Sequence, residues 1–170
     1  YLLKNAKSKE EKIYLLNYYL EQFRTTVYRQ TMFAEFEKIT HEIVEKGKGL
    51  TAEKFKEIYM DLNKKYYGNT CVIDEEIGME WARISHFYSN FYVYKYATGF
   101  SAASALSKQI LEEGEIAVKR YKTFLKSGGS DYPLNQLKNA GVNMEKKESI
   151  EQALSVFDQL VDELEKEIKK

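Results

Sequence analysis

The sequence of 170 residues contains one proline, one cysteine and nine glycines. Proline and glycine interrupt helices, and both are scarce here, whereas Glu, Lys, Leu, Tyr and Ala are common. This composition favours helix, and we expect an all-α fold. The lone Cys71 excludes an internal disulfide framework and fits a reducing compartment such as the cytoplasm. The length suits one domain, and because no segment resembles a linker we expect residues 1–170 to form a single helical unit.

An excess of charge of one sign is also missing, as are long apolar runs. The 26 basic residues balance 26 acidic residues, so the formal net charge is zero. That balance provides no broad basic surface for nucleic acid or for an anionic membrane. No apolar stretch approaches the roughly 20 residues of a membrane-spanning helix, and no signal peptide opens the sequence. We therefore expect neither nucleic acid nor a membrane as a partner.

An initiator methionine is missing as well. The opening YLLKNAKSKEEK begins inside an apolar helical pattern, turns at a Lys/Ser/Glu stretch and continues into another helix. We expect the chain to be a piece of a longer protein.

Apolar residues at helical spacing, bounded by Gly, Thr, Ser and Pro signals, predict a series of helices. The predicted segments are Glu10 to about Lys46, Thr51 to Gly68, about Trp81 to Glu113 with an interruption near His86, GEIAVKRYKTFLKSGG, SDYPLNQLKNAGV and SIEQALSVFDQLVDELEKEIKK.

The stretch HEIVE at residues 41–45 resembles part of the HExxH motif of metallopeptidases, in which two histidines one turn apart bind zinc. Here Glu45 occupies the place of the second histidine, and the only other histidine is His86. Glu42 and Glu45 are better explained as a solvated helix face. We expect no metal site in this chain.

The glycine-rich SGGSDYP at residues 127–133 lacks the lysine and the strand context of a phosphate-binding loop. A helix stop, a turn and a new helix start explain it. Because glycine lets another backbone approach closely, Gly128 and Gly129 are also candidates for contact with a peptide substrate.

The segment HFYSNFYVYKYATGFSAA at residues 86–103 is crowded with aromatic residues. On a regular helix Tyr88, Tyr92 and Tyr96 form one stripe, and other aromatic residues cover another side, so we expect the segment to be largely buried. Core packing explains such a segment, but buried phenols need hydrogen-bond partners, and phenols with a histidine can stabilise an oxyanion. On an unbroken helix His86 points about 120° away from Tyr92. For His86 to join the stripe, the helix must begin after it or the segment must bend.

Four blocks of the sequence resemble the oligoendopeptidase F family, which belongs to the thimet oligopeptidase clan of zinc metallopeptidases. They are LLNYYLEQFRTTVYRQTMFAEFE, LNKKYYG, DEEIGMEWARISHFYSNFYVYKYATGFSAASALSKQILEEG and FLKSGGSDYPLNQLKNAGVNM. The likeness runs from about Leu15 to Met144, with the blocks in family order. It implies that the chain is the C-terminal, multi-helix part of the catalytic domain of a zincin-type oligopeptidase.

The resemblance implies hydrolysis of short, unstructured peptides in a deep channel by a cytoplasmic enzyme. In that family zinc is held by two histidines of an HExxH motif and by a Glu on the next helix. Both elements are expected upstream of the blocks found here. The isolated chain should then bind no zinc and be inactive, and its partners should be short peptides and the missing N-terminal part of the same protein.

Relatives in the clan use a histidine and several tyrosines, before an SGGS-like turn, to bind substrate and stabilise the oxyanion. The resemblance assigns that role to His86, Tyr92 and Tyr96, with Tyr88 and Tyr94 as weaker candidates because the spacing differs by one residue from distant relatives. A non-catalytic helical module that binds peptides or acts as a scaffold is the alternative function.

Overall fold

The computed structural model describes residues 2–169, which contain helices and no strand. Its α-helices are α1 (Lys9–Phe23), α2 (Arg29–Glu45), α3 (Ala52–Tyr67), α4 (Tyr94–Glu113), α5 (Glu115–Ser127), α6 (Pro133–Asn139) and α7 (Glu148–Lys169). Short 3-10 helices lie at Leu3–Asn5, Glu75–Arg83 and Ser85–Tyr88, and a π-helical turn at Arg24–Tyr28. The predicted all-α fold is confirmed.

The chain folds as two compact units. One comprises the described residues of Tyr1–Arg24 and Thr98–Lys170, and the other is Thr25–Ala97. Both boundaries fall inside helical segments, so no change of composition marks them in the sequence. That residues 1–170 form one domain stays a prediction.

The first long helix agrees with its prediction in extent. It begins after Ser8, whose Oγ accepts a hydrogen bond from the Glu11 N–H at 3.1 Å, and it closes at Gly47 with a φ of 74°. The π-helical turn between α1 and α2 was not foreseen. Such turns carry one extra residue, and they rotate the faces of the helix that follows.

The unit Thr25–Ala97 is built on the packing of α2 against α3. The Thr51 Oγ1 accepts a hydrogen bond from the Lys54 N–H at 3.2 Å and caps α3, as the sequence predicts. Tyr59 of α3 is fully buried and meets the Phe36 ring edge to face at 5.2 Å. The core of the unit Thr25–Ala97 consists of Met32, Phe33, Phe36, Ile58, Tyr59, Leu62 and Val93.

In the other unit α1 packs against α7, and α4 contacts the segment around α6. Phe23 is fully buried between the rings of Phe100 and Phe157, at 4.8 and 5.6 Å between ring centroids. A second core cluster consists of Ala102, Ala105, Leu106, Ala140 and Val142. Alanine at three of these positions lets the neighbouring backbone approach closely.

None of the helices within residues 2–169 is both long enough and apolar enough to cross a membrane.

The predicted interruption near His86 is confirmed, and it is longer than a local kink. After the 3-10 helix Ser85–Tyr88 the chain runs through residues 89–93 without forming an α-helix, and α4 begins only at Tyr94. Phe91 lies in this stretch with a φ of 55°, which is the left-handed region that few non-glycine residues adopt. We call residues 84–96 the aromatic bend.

Candidate functional site

The aromatic bend is a succession of tight turns. Backbone N–H groups of Phe87, Ser89 and Tyr92 each donate to the carbonyl three residues earlier, at 3.0 to 3.2 Å. The N–H of Tyr96 does the same to Val93 as α4 begins. Because these turns replace a regular α-helix before α4 starts, side chains before and after the bend can meet.

The bend brings together the three residues that the resemblance implies. The imidazole of His86 stacks on the Tyr92 ring, with 5.4 Å between centroids and 14° between planes. The Tyr96 ring meets Tyr92 edge to face at 5.7 Å, and its hydroxyl lies 3.3 Å from His86 Nε2. A regular helix would hold His86 away from both tyrosines, so the bend, and not a helical stripe, assembles this group.

The expectation that the segment is largely buried was wrong. Tyr92 and Tyr96 are 38% and 36% exposed, and Tyr88 is 86% exposed. The physical reason is the bend itself: the prediction assumed an aromatic helix surrounded by core, whereas in the bend Val93 is buried, 1% exposed, and Phe87 packs against the core, while the tyrosines stay outside it. The phenols of Tyr92 and Tyr96 are therefore accessible to a ligand.

The group can donate hydrogen bonds at neutral pH. A hydrogen bond with Tyr92 raises the pKa of the Tyr96 hydroxyl above its ordinary value, so this phenol keeps its proton. The Lys95 ammonium lies 5.1 Å from the centre of the Tyr92 ring and adds a positive charge beside the phenols. Accessible O–H and N–H donors next to a cation suit a carbonyl oxygen or a developing oxyanion.

Tyr88 and Tyr94, the weaker candidates, have different surroundings. Tyr88 stands at the end of the 3-10 helix Ser85–Tyr88 and lines a neighbouring cavity, while Tyr94 opens α4 and is 47% exposed. Neither is among the rings stacked with His86.

The cavity beside the bend is mostly apolar and has a volume of about 380 Å³. The indole Nε1 of Trp81 is buried at its edge without a hydrogen-bond partner in the described part of the chain. The cavity lies between α2 and the 3-10 helices Glu75–Arg83 and Ser85–Tyr88, and its lining includes Phe36, Val44, Phe55, Trp81, Phe87 and Tyr88.

Gly128 and Gly129, the glycines suggested for backbone contact, lie in the other unit at the end of α5. Gly128 has a φ of 52°, and its carbonyl accepts a hydrogen bond from Gln136 Nε2 at 2.9 Å. A Cβ at either glycine would meet no atom within 4 Å. The turn is therefore open to solvent, and a role in substrate contact stays a prediction.

The HEIVE stretch lies on α2. Glu42 forms ion pairs with Lys38 and Lys46 at 3.7 and 3.8 Å, which confirms that it belongs to a solvated face. His41 instead turns towards the bend and packs on the Phe91 ring at 4.6 Å. Within residues 2–169 no three His, Cys, Asp or Glu side chains are placed to share a metal ion. The zinc that the resemblance implies thus has no fitting ligand set here.

A buried ion cluster fixes the segment that leads into the bend. Glu80 of the 3-10 helix Glu75–Arg83, 7% exposed, accepts hydrogen bonds from Arg29 of α2 at 2.5 Å, from Tyr59 of α3 at 2.7 Å and from Arg83. Burial alone would raise the pKa of Glu80, but the bonds from Tyr59 and Arg29 outweigh it and hold the pKa below its ordinary value. Burial raises the pKa of the Tyr59 hydroxyl, and its bond to Glu80 adds to that effect.

Two glutamates that shape the bend, Glu80 and Glu37, were not among the residues predicted from the sequence. Glu37 follows Phe33 by four residues, so the two share a face of α2, and Phe33 belongs to the core. That spacing was a usable signal for a buried carboxyl at position 37. For Glu80 no comparable periodicity exists, because a 3-10 helix carries it.

Comparison with known proteins shows that the chain is similar to part of several bacterial oligopeptidases. The model of peptidase family M3 matches residues 1–156. The oligopeptidase PepF of Bacillus subtilis is 56% identical over 97% of the chain, and the chromosomal oligoendopeptidase F of Lactococcus lactis subsp. cremoris is 45% identical over 99%. The crystal structure of oligoendopeptidase-F from Enterococcus faecium superposes with a TM-score of 0.96 at 50% identity, over 99% of this chain and 32% of that one.

The chain spans 25% and 28% of the length of those two relatives from Bacillus and Lactococcus. From the family model and these relatives it follows that the chain belongs to peptidase family M3.

Proposed function

We propose that the chain is the C-terminal part of a longer zinc oligoendopeptidase, in which the aromatic bend binds the substrate peptide and donates hydrogen bonds to the oxyanion. The observation that carries the proposal is the assembly of His86, Tyr92 and Tyr96 by a bend, with the Tyr96 hydroxyl 3.3 Å from His86 Nε2. Membership of peptidase family M3 supports the reaction class.

Hydrolysis of a peptide bond passes through a tetrahedral intermediate whose carbonyl oxygen becomes negative. The Tyr96 hydroxyl and the His86 imidazole lie on one side of the bend, and both can donate to that oxygen. Stacking on Tyr92 fixes the imidazole plane, so little reorganisation is needed when charge develops.

The remaining parts of this proposal concern the complete protein. Zinc would be held by residues outside this chain, the substrates would be short peptides, and the enzyme would act in the cytoplasm. The isolated chain would be inactive, because its described residues offer no metal site.

Replacing Tyr96 by Phe in the complete protein tests the proposal. Loss of one oxyanion donor is expected to lower kcat for an internally quenched short peptide about a hundredfold, with the zinc content unchanged. The measurement is steady-state hydrolysis together with metal analysis of the purified variant. Tyr14→Phe removes an exposed hydroxyl from α1 and serves as the control, with kcat expected within twofold of the parent. An unchanged kcat in Tyr96→Phe would remove Tyr96 from the site.

The apolar cavity beside the bend favours one second candidate, a module that binds peptides without cleaving them. A cavity of about 380 Å³ suits one apolar side chain of a peptide. The two functions separate by product analysis: a peptidase releases two fragments from the quenched peptide, whereas a binding module returns it intact.

A further inference from the structure

The aromatic bend depends on a strained residue, Phe91, that two side chains of α2 contact. Phe91 has a φ of 55°, an unfavourable conformation for a residue with a bulky side chain. Such a conformation persists only where its surroundings enforce it. Phe91 itself is 46% exposed, so burial of its own ring does not provide the whole of that enforcement.

The enforcing contacts come from one face of α2. The N–H of Phe91 donates a hydrogen bond of 2.6 Å to Glu37 Oε1, and the Phe91 ring packs on His41 at 4.6 Å. Glu37 and His41 are four residues apart, and thus neighbours on the helix surface. Glu37 is only 4% exposed, so water does not compete for this hydrogen bond.

The geometry links this contact to the candidate site. Val93 is fixed in the core, 1% exposed, and Phe91 is fixed on α2, so Tyr92 between them is directed towards His86. A φ of ordinary sign at Phe91 would turn the following backbone and carry Tyr92 and Tyr96 away from the imidazole.

We infer that Glu37 is a positioning residue, whose buried carboxyl holds Phe91 in its left-handed conformation and thereby sets the arrangement of His86, Tyr92 and Tyr96. The effect of Glu37 on catalysis rests on the proposed function. Its effect on the conformation of residues 84–96 can be measured without substrate. Glu37 acts through the backbone of Phe91 and touches none of the three site residues in these contacts.

Glu37→Leu in the complete protein is the principal test. Leucine fills a similar volume but offers no acceptor, so the N–H of Phe91 loses its partner. We expect kcat for the quenched peptide to fall about tenfold, since small misplacements of reacting groups carry penalties of that size and more. Hydrogen exchange of backbone amides in residues 84–96, followed by mass spectrometry, is expected to become faster.

Two matched variants separate positioning from general loss of packing. Glu37→Gln keeps a carbonyl acceptor at the same place, and its kcat and exchange are expected within about twofold of the parent. Thr40→Val removes a buried hydroxyl from α2 that bonds to the Phe36 and Glu37 carbonyls of its own helix. We expect Thr40→Val to leave the exchange of residues 84–96 and kcat near the parent values.

The inference is overturned if Glu37→Leu leaves both kcat and exchange unchanged, or if Thr40→Val lowers kcat as much. Should Glu37→Leu fail to fold, Phe91→Pro replaces it, because proline has no N–H and cannot adopt a φ of 55°. A Phe91→Pro variant with parental kcat also overturns it.

Failure of the proposed function gives a different pattern. If Tyr96→Phe keeps parental kcat while Glu37→Leu still accelerates exchange in residues 84–96, the catalytic role proposed for the bend is wrong. The result would still support the structural role of Glu37 in fixing the bend.

Discussion

The complete protein carrying His86→Phe together with Tyr96→Phe is expected to hydrolyse the quenched peptide about a thousand- to ten-thousand-fold more slowly than the parent. Each substitution removes one donor, and one donor is worth roughly a hundred- to a thousand-fold. Phenylalanine at position 86 keeps a flat ring that can stack on Tyr92, so the loss reports the missing N–H and not a lost stacking partner.

The combined loss should be smaller than the product of the two single losses. The Tyr96 hydroxyl and His86 Nε2 are 3.3 Å apart, so removing either group also disturbs the orientation of the other. Residues that act as a unit give non-additive changes in kcat. We expect a coupling of at least about tenfold, which corresponds to about 1.4 kcal/mol.

Steady-state kinetics of the parent, both single variants and the double variant measure this coupling. Tyr14→Phe in the His86→Phe background is the control pair, because Tyr14 lies on α1, and no coupling is expected. Single effects that multiply without coupling would show that the two groups act apart, and that the contact between them has no role in the rate.

The helical fold followed from the sequence because its signals are local. Thr51 and Gly68 bound α3 where predicted, since a capping hydroxyl and a positive-φ glycine act within one turn of the chain. Extents of the long first helix and of α7 were likewise readable from apolar spacing.

The shape of the aromatic bend was not readable in the same way. A period of 3.6 residues fits HFYSNFYVYKY well enough to suggest a helix, and the contacts that oppose it come from far along the chain. Glu37 lies 54 residues before Phe91, and Arg29 lies 51 residues before Glu80. His86, Tyr92 and Tyr96 could be chosen by resemblance, whereas their meeting depends on contacts made by the distant residues Glu37 and Arg29.

Glu80→Gln is expected to be the most destabilising single substitution near the bend. Glutamine keeps the shape but removes the charge that Arg29 and Arg83 share, and it leaves the partly buried Arg29 without a counter-ion. Breaking a buried ion pair by removing one partner costs about 3 kcal/mol or more. Amides of the segment 75–88 should then exchange about a hundredfold faster at pH 7, measured by hydrogen exchange of the complete protein.

Glu35→Gln is a matched control, because Glu35 also joins α2 to α3 through a cation and a phenol. Its carboxylate accepts from Lys65 at 2.6 Å and from Tyr66 at 2.9 Å, but its side chain is 30% exposed against 5% for Glu80. Solvent screens the more exposed pair, so Glu35→Gln should lower the free energy of unfolding by less than about 1 kcal/mol. Equal effects of the two substitutions would mean that burial does not set the strength of the Glu80 cluster.

The pH dependence of Glu80→Gln has a definite sign. The pKa of Glu80 is lowered in the folded chain, so its carboxylate stabilises the fold at any pH above the unfolded value of about 4.3. That contribution disappears as pH falls through the lowered pKa, because the carboxyl must then take up a proton. The ratio of amide exchange rates between Glu80→Gln and the parent should therefore be constant between about pH 6 and about pH 8. It should shrink in acid, below about pH 4. A difference that grows in acid would show that the neutral acid, and not the carboxylate, holds Arg29 and Tyr59 in place.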